Sequence, residues 1–432
     1  MRSPATRSRR AASHSLREDE YEPELPPKKG KTKKKPNGPA WARALIVFGA
    51  MLMVISGGSI ISAKILLDQA TSAIDQVEIP VEAGNTSLVT QGEALHGAMN
   101  ILLVGVDDGE AAGENRTGSA LADSIMVLHV PETHDQGYIV SLPRDLWISI
   151  PPYPKTRYGG GKGKLNSAYT AGYGPAKGGG PGRAGGLDLL MQTINKETGI
   201  TFNAAAIVNF TGFTAALKQL GGVTIYIDER VTSVHYGFTK QGVPCVPAAF
   251  DSNAVAHPRK DCYGRVFQKG ERRLNPEEAL DYTRQREWME LNDGDYGRQR
   301  HQQQFIKALA REAKNQGYTT NPSKSLALVK SVGSALTVWT NGAKLEDWFF
   351  TLKDLAGNDI VMVKTNKGTF HSAQVEGTSA EGLSPESRQM LTALRNKKLP
   401  EWLFAHRDWI GKDTAPPPPV GQPSGAPSQQ TR

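Results

Sequence analysis

Hydrophobic positions along this chain fall into distinct regimes. Residues 44–63, ALIVFGAMLMVISGGSIISA, form one uncharged, mostly apolar block of twenty, long enough to cross a hydrocarbon core as a helix. From about residue 100 the apolar positions break into short β-branched runs, NILLVGV, DSIMVLHV and GYIVSL, separated by polar or turn-forming segments, which is the pattern of strands. Helical spacing then appears at LDLLMQTINKETG, TGFTAALKQLGG, SLALVKSVGSALTV and AKLEDWFFTLKDLAG, with strand patterns at AAAIVNF, VTIYID and DIVMVKT. Strands and helices in alternation predict a layered α/β architecture.

The pattern divides the chain into segments. Residues 1–43 read as a disordered basic tail, 44–64 as a transmembrane helix, 65–98 as a stalk and 99–365 as the main domain. A C-terminal extension follows at 366–410, then a Pro-rich tail at 411–432 containing APPPPV. Twelve glycines stand between Tyr158 and Gly186. Ordering such a segment loses much backbone entropy, so it reads as a mobile loop or a lid.

Charge orients the apolar block. The first 43 residues hold twelve Lys or Arg, including the run Lys28–Lys35, against five acidic residues, so they carry +7 of the chain's +8. The positive-inside rule places that end in the cytoplasm and the remainder outside. The basic pI is then a property of the tail, and it gives no support to nucleic-acid binding. A cleavable signal peptide is the competing reading of the block. Against it stand the long leader, an apolar run beyond the usual 7–15 residues and the lack of a small-residue cleavage site. The only cysteines, Cys245 and Cys262, fall on the exterior side, where an oxidising setting favours a disulfide contributing on the order of 3 kcal/mol.

Candidate chemistry gathers at two places. If the first three strands form an antiparallel meander, Asp107 at the exit of the first, Asp123 at the entrance of the second and Arg144 past the exit of the third share one rim, with Arg116 on a connecting loop. Two carboxylates with open positions suit Mg²⁺; capping of turns is the plain alternative. The second place is YTRQREWMELNDGDYGRQRHQQQ, residues 282–304. Asn275, Pro276 and Glu278 mark a helix start, with the helix expected to end near Tyr282. Arg284 and Arg286 would then share one face of an extended segment. A second helix would carry Arg298 and Gln302 on its inward edge, a ready site for phosphate. Arg300 is expected to be solvated and Asp295 to form an ion pair. The alternative for the arginines is a network with Glu287, Glu290 and Asp293. No phosphate loop, HExxH, GxSxG or CxxC motif occurs.

Taken in order, NILLVGVDD, RTGSALADSIMVLHV, SLPRD, GKLNSAY, LNPEEALDYTRQR and DYGRQRHQQQ closely resemble the LytR-CpsA-Psr family of cell-envelope phosphotransferases over about residues 99–365. The resemblance implies a three-layer α/β/α extracytoplasmic domain with a central mixed sheet behind one membrane helix. It implies transfer of a glycan-phosphate from a polyprenyl-pyrophosphate-linked donor to a peptidoglycan sugar hydroxyl, assisted by Mg²⁺ or Mn²⁺, with pyrophosphatase activity as a side reaction. By position, Asp107 and Asp123 would hold the metal. Arg144, Arg284, Arg286, Arg298 and Gln302 would grip the pyrophosphate, supported by Arg116, Lys164 and Asp295. Arg144, Arg284, Arg286 and Asp295 are the expected catalytic residues. The partners are the lipid-linked donor, peptidoglycan and the membrane, without nucleic acid. The cysteine pair and basic tail suit a Gram-positive, actinobacterial envelope. The alternative is a non-catalytic envelope protein that binds polyprenyl lipid or polyanion.

Overall fold

A computed structural model describes residues 74–79, 95–107, 121–175, 180–252, 255–318, 320–352, 355, 360–373, 375 and 379–411. Two compact units divide the chain at Gly58 and Ser59, and every described residue belongs to the second. Arg116, the apolar block 44–64, the basic tail and residues 412–432 lie outside the described residues, as does the side chain of Asp107. Among the described residues no helix is long and apolar enough to cross a membrane.

The chain opens with β1 (Asp75–Gln76), β2 (Met99–Asp107), β3 (Leu121–Val130), β4 (Gly137–Leu142), β5 (Trp147–Ile150) and β6 (Gly161–Lys164), followed by α1 (Leu165–Tyr173) and α2 (Gly182–Thr198). Next come β7 (Ala204–Asn209), α3 (Phe210–Leu220) and β8 (Val223–Ile227), then an excursion of β9 (Val231–Phe238), β10 (Pro244–Cys245), β11 (Ala248–Phe250), β12 (Ala256–Pro258) and β13 (Tyr263–Phe267). The rest is β14 (Gly270–Leu274), α4 (Pro276–Arg284), α5 (Asp295–Asn315), α6 (Pro322–Val332), β15 (Leu336–Trp339), α7 (Leu345–Leu352), β16 (Ile360–Val363), α8 (Pro385–Arg395) and α9 (Leu399–Ala405).

Seven strands form the central sheet in the order β1-β15-β7-β2-β3-β4-β16. It is mixed: β2 runs parallel to β7 and β4 to β16, while β3 is antiparallel to both of its neighbours. Side chains alternate across a strand, and here both faces are covered. Leu102, Val104, Ile125, Val127, Tyr138 and Val140 meet Tyr169 and Leu187 of α1 and α2, and Met390 of α8. On the other face Met126 and Ile139 meet Ile306 and Ala310 of α5, while Ile101 packs with Trp348 of α7.

Several expectations are corrected. In the Gly-rich segment Gly161–Lys164 is a strand, Leu165–Tyr173 a helix, and Gly182 opens another. Its glycines serve close packing. A Cβ on Gly172 would lie 2.2 Å from the Gly185 carbonyl oxygen, and one on Gly186 would lie 2.8 Å from the Tyr169 ring, so α1 and α2 approach closely only because side chains are missing. The helix expected over SLALVKSVGSALTV stops at Val332. Gly333 turns the backbone at φ +53°, and Leu336–Trp339 pairs with β7 instead, as suits β-branched Thr337 and Val338. Two residues of the expected stalk form the edge strand β1 beside β15. In the extension, Met390, Leu394, Leu403 and Trp409 join the main core. The Cys245–Cys262 disulfide is present.

Candidate functional site

The meander brings the exit of β2, the entrance of β3 and the exit of β4 to one end of the sheet. The register runs Gly105↔Ser124 and then Val106↔Ala122, which leaves Asp123 as the extra residue of a β-bulge. A bulge re-aims its side chain away from the ladder's alternation. The Asp123 carboxylate receives Arg144 Nη1 at 2.5 Å, from just past β4. The Asp123 carbonyl receives Arg298 Nη2 at 2.9 Å, from the first turn of α5. Arg298 Nη2 also lies 2.6 Å from Asp295, and Arg144 Nε 3.5 Å from the same carboxylate oxygen. Two guanidiniums and two carboxylates thus share one partly buried cluster.

Burial opposes ionisation of Asp295, but Arg298 and Arg144 outweigh it and hold its carboxyl below the ordinary range. Burial likewise opposes the charge on Arg144, and Asp295 and Asp123 more than offset it. The buried Nε atoms of Arg144 and Arg298 have no hydrogen-bond partner. Asp295 Oδ1, 3.5 Å from Arg144 Nε, has no hydrogen bond either, so unused donors and an unused acceptor stand side by side in the cluster.

Lys164 joins through Asp145, 2.9 Å from its Nζ, and Asp145 lies 3.7 Å from Arg144 Nε. Sequence reasoning passed over Asp145, although it closes the quoted SLPRD. It also passed over Glu381, which has no local signal. The Glu381 backbone pairs with Asp145 and Trp147 at 3.0 and 2.7 Å, and its side chain meets the Tyr296 hydroxyl and Asn366. Burial pushes its carboxyl up to about 7. This network braces the Arg144–Asp145 loop and the start of α5 together.

Other expected members stand elsewhere. The Asn275–Glu278 capping box forms, but α4 continues through Arg284, so Arg284 and Arg286 do not share an extended edge. Gln285 between them is fully buried, with Nε2 on Asp281. Arg284 is exposed. Arg286 lies 3.6 Å from Glu287 and reaches Asp295 through its field. Gln302 donates to the Thr283 carbonyl at 3.4 Å, toward α4 and away from the cluster. Arg300 is not solvated. Its Nε is 2.7 Å from Asp228, and it also contacts Glu229 and Asp293. Asp228, Glu229 and fully buried His301 have ligand atoms within 4.8 Å of one another, but the Arg300 guanidinium supplies the cation there.

Asp107 pairs in the ladder with Leu121, so its backbone stands close to the bulge at Asp123. Carboxylate oxygen is the donor type that Mg²⁺ takes, and what the structure shows at these two positions is the closeness of their backbones. A cleft of ≈ 550 Å³ opens along a different face of α5, lined by Tyr296, Gln299, Arg300 and Gln303. Its arginine is already neutralised, so volume and chemistry point to different places. The convergence of Arg144, Arg298 and Lys164 at the sheet end favours the cluster.

The fold and cluster define a mixed α/β protein with paired arginines and carboxylates gathered at one sheet end. The chain belongs to the LytR_cpsA_psr family, whose model matches residues 64–395. It is 29% identical over 322 residues to the cell wall biosynthesis protein LcpA of Corynebacterium glutamicum, covering 70% of this chain and 57% of LcpA. It is 32% identical over 219 residues to the regulatory protein MsrR of Staphylococcus aureus, covering 51% of this chain and 50% of MsrR. The polyisoprenyl-teichoic acid–peptidoglycan teichoic acid transferase TagU of Oceanobacillus iheyensis is 26% identical over 286 residues, covering 65% of this chain and 71% of TagU. The chain therefore spans only 50 to 57% of the length of LcpA and MsrR. Among solved structures, B. subtilis TagT is 18% identical, covering 74% of this chain and 99% of that chain, with a TM-score of 0.47.

Proposed function

We propose that this protein transfers a glycan-phosphate from a polyprenyl-pyrophosphate-linked precursor to a peptidoglycan hydroxyl, at the outer face of a membrane in which residues 44–64 anchor it. The acceptor hydroxyl oxygen bonds to the glycan-side phosphorus. The bond from that phosphorus to the bridging oxygen breaks, polyprenyl phosphate leaves, and the hydroxyl proton passes to solvent or a base. Family membership supports the general class. The observation that carries the reading is the convergence of Arg144 and Arg298 on Asp123 and Asp295 at one end of the sheet.

Phosphoryl transfer needs positioning and charge neutralisation more than covalent chemistry. Arg144 and Arg298, held by Asp123 and Asp295, present positive charge that is already oriented before substrate arrives. Arg286 adds to the field. Lys164, held by Asp145, flanks the same loop. Asp295, kept ionised by two arginines, is a poor proton acceptor and serves to orient them. Asp107 and Asp123 would hold Mg²⁺, which when bound neutralises phosphate charge.

The test uses the full chain in lipid nanodiscs with Mg²⁺, a polyprenyl-pyrophosphate-linked glycan and peptidoglycan. Turnover is expected in wild type, with loss of at least about 100-fold in Arg144→Ala while its circular dichroism stays native. Retained donor binding without any transfer by wild type would overturn the transfer reading in favour of a binding protein. Depletion in the cell, followed by analysis of the released polymer, names the glycan.

A further inference from the structure

Of the twelve large hydrophobic side chains exposed among the described residues, seven fall between Tyr236 and Val266. Single exposed hydrophobic residues are ordinary, whereas a concentration marks a surface that meets something apolar. The disulfide gathers them. Val243 and Val246 flank Cys245, and Tyr263 follows Cys262; these three are 57, 49 and 53% exposed. Phe250 and Val255 stand together at the β11–β12 turn, where Asp251 N donates to the Val255 carbonyl at 3.1 Å.

Basic residues surround this patch. Residues 231–269 contain five Lys or Arg against two Asp, with Lys240, Arg259 and Lys260 exposed. The Arg265 guanidinium lies 4.4 Å from the Tyr236 ring centroid. Exposed aromatic and aliphatic tips in a segment that also exposes an excess of cations complement a lipid surface of negative charge.

Position agrees with composition. The excursion is stitched to the segment between α4 and α5: Val231 bridges Met289, Thr232 N donates to Trp288 O at 3.0 Å, and Val234 N donates to Gln285 at 3.0 Å. That segment leads directly into Asp295 and Arg298. The strand directions put the start of β1 at the sheet end that holds Asp123 and Arg144, and Asp75 follows the apolar block by eleven residues from Lys64.

We propose that the disulfide-closed excursion docks on an anionic bilayer, with its apolar tips among the headgroups and its basic residues against lipid phosphates. Docking holds the mouth of the arginine cluster against the surface that carries a lipid-linked substrate. The inference rests on the membrane placement in the proposed function and not on the transfer chemistry.

The full chain is placed in nanodiscs of phosphatidylcholine with or without phosphatidylglycerol, carrying a bimane label at Phe250→Cys or Tyr263→Cys. Glu132→Cys, in the turn at the opposite sheet end, is the control. Docking predicts quenching by shallow doxyl lipid at 250 and 263 but not at 132, dependent on phosphatidylglycerol. Removal of Arg259 and Lys260 should weaken it about fivefold in the docking equilibrium per charge. Equal quenching at all three positions overturns the proposal. So does equal quenching in neutral and anionic discs, and so does shielding from aqueous iodide without lipid quenching, which would indicate a polymer or protein partner. Where a label disturbs the disulfide, hydrogen exchange of residues 243–263 decides: protection confined to anionic discs supports docking, and unchanged exchange overturns it. Cleavage of a short polyprenyl pyrophosphate in the same discs separates the two proposals, because turnover without quenching removes docking alone.

Discussion

Arg298 Nη2 donates to the backbone carbonyl of Asp123 at 2.9 Å, so a side chain from the start of α5 closes the irregularity in β3. One guanidinium both supplies the site's charge and fixes the strand that carries the facing carboxylate.

Removing that guanidinium should therefore unfold as well as inactivate. Arg298→Ala leaves Asp295 buried beside one fewer cation and the Asp123 carbonyl without its donor. Breaking a buried pair typically costs about 3–5 kcal/mol. Urea denaturation should show a loss of that size, partly restored in the double variant Arg298→Ala, Asp295→Asn, with activity not restored. An unchanged midpoint in the single variant would contradict the geometry.

Arg300 is expected to behave differently. Its replacement by Ser strips the cation from Asp228, Glu229 and Asp293, and stability should fall steeply. Because Asp228, Glu229 and His301 already converge within 4.8 Å, added Zn²⁺ or Mn²⁺ should raise the melting temperature of Arg300→Ser more than that of wild type. Equal metal response in the two proteins would show that the three groups cannot act together.

Glycine packing gives a third measurement. Gly172→Ala drives a methyl into the Gly185 carbonyl and the Leu189 side chain, and overpacking of this kind costs roughly 1–3 kcal/mol. Gly159→Ala meets nothing within 4 Å and should leave thermal stability within about 0.5 kcal/mol. If the two variants melt alike, the close approach of α1 and α2 is not a constraint.

Glu381 links stability to pH. Burial raises its carboxyl from the ordinary glutamate range to about 7, so the folded state holds the proton more tightly than the unfolded state. That contribution is complete below the unfolded pKa and is lost as pH rises through about 7. The stability advantage of wild type over Glu381→Gln should shrink between pH 5 and 8, by about 3 kcal/mol at most. A difference in melting temperature that stays flat across this range would rule the linkage out.

How much of this was legible in the sequence depends on the range of the interaction. The meander, the capping box at Asn275 and the pattern of β7, α3 and β8 are local, because each is set by alternation, periodicity or a cap within a few residues. β15 was misread because four residues of strand continue a helical spacing, and only pairing with β7 decides between them. In the site, Asp123, Arg144, Arg298 and Asp295 follow from strand ends and one helix start. The placements expected for Arg284 and Arg300 differ, since α4 runs two residues further than expected and an acidic pair 71 and 72 positions earlier engages Arg300. Glu381 lies 236 positions from Asp145, and no spacing rule reaches that far.

The bulge in β3 carries one further implication. Asp123 is supernumerary: Val106 already has Ala122 opposite it, and Gly105 has Ser124. The ladder on either side is complete without it. This carboxylate therefore sits on a single inserted residue, and the sheet could persist in a chain that had lost it. The scaffold and this carboxylate position can diverge independently, so a relative with the same seven strands need not retain the carboxylate.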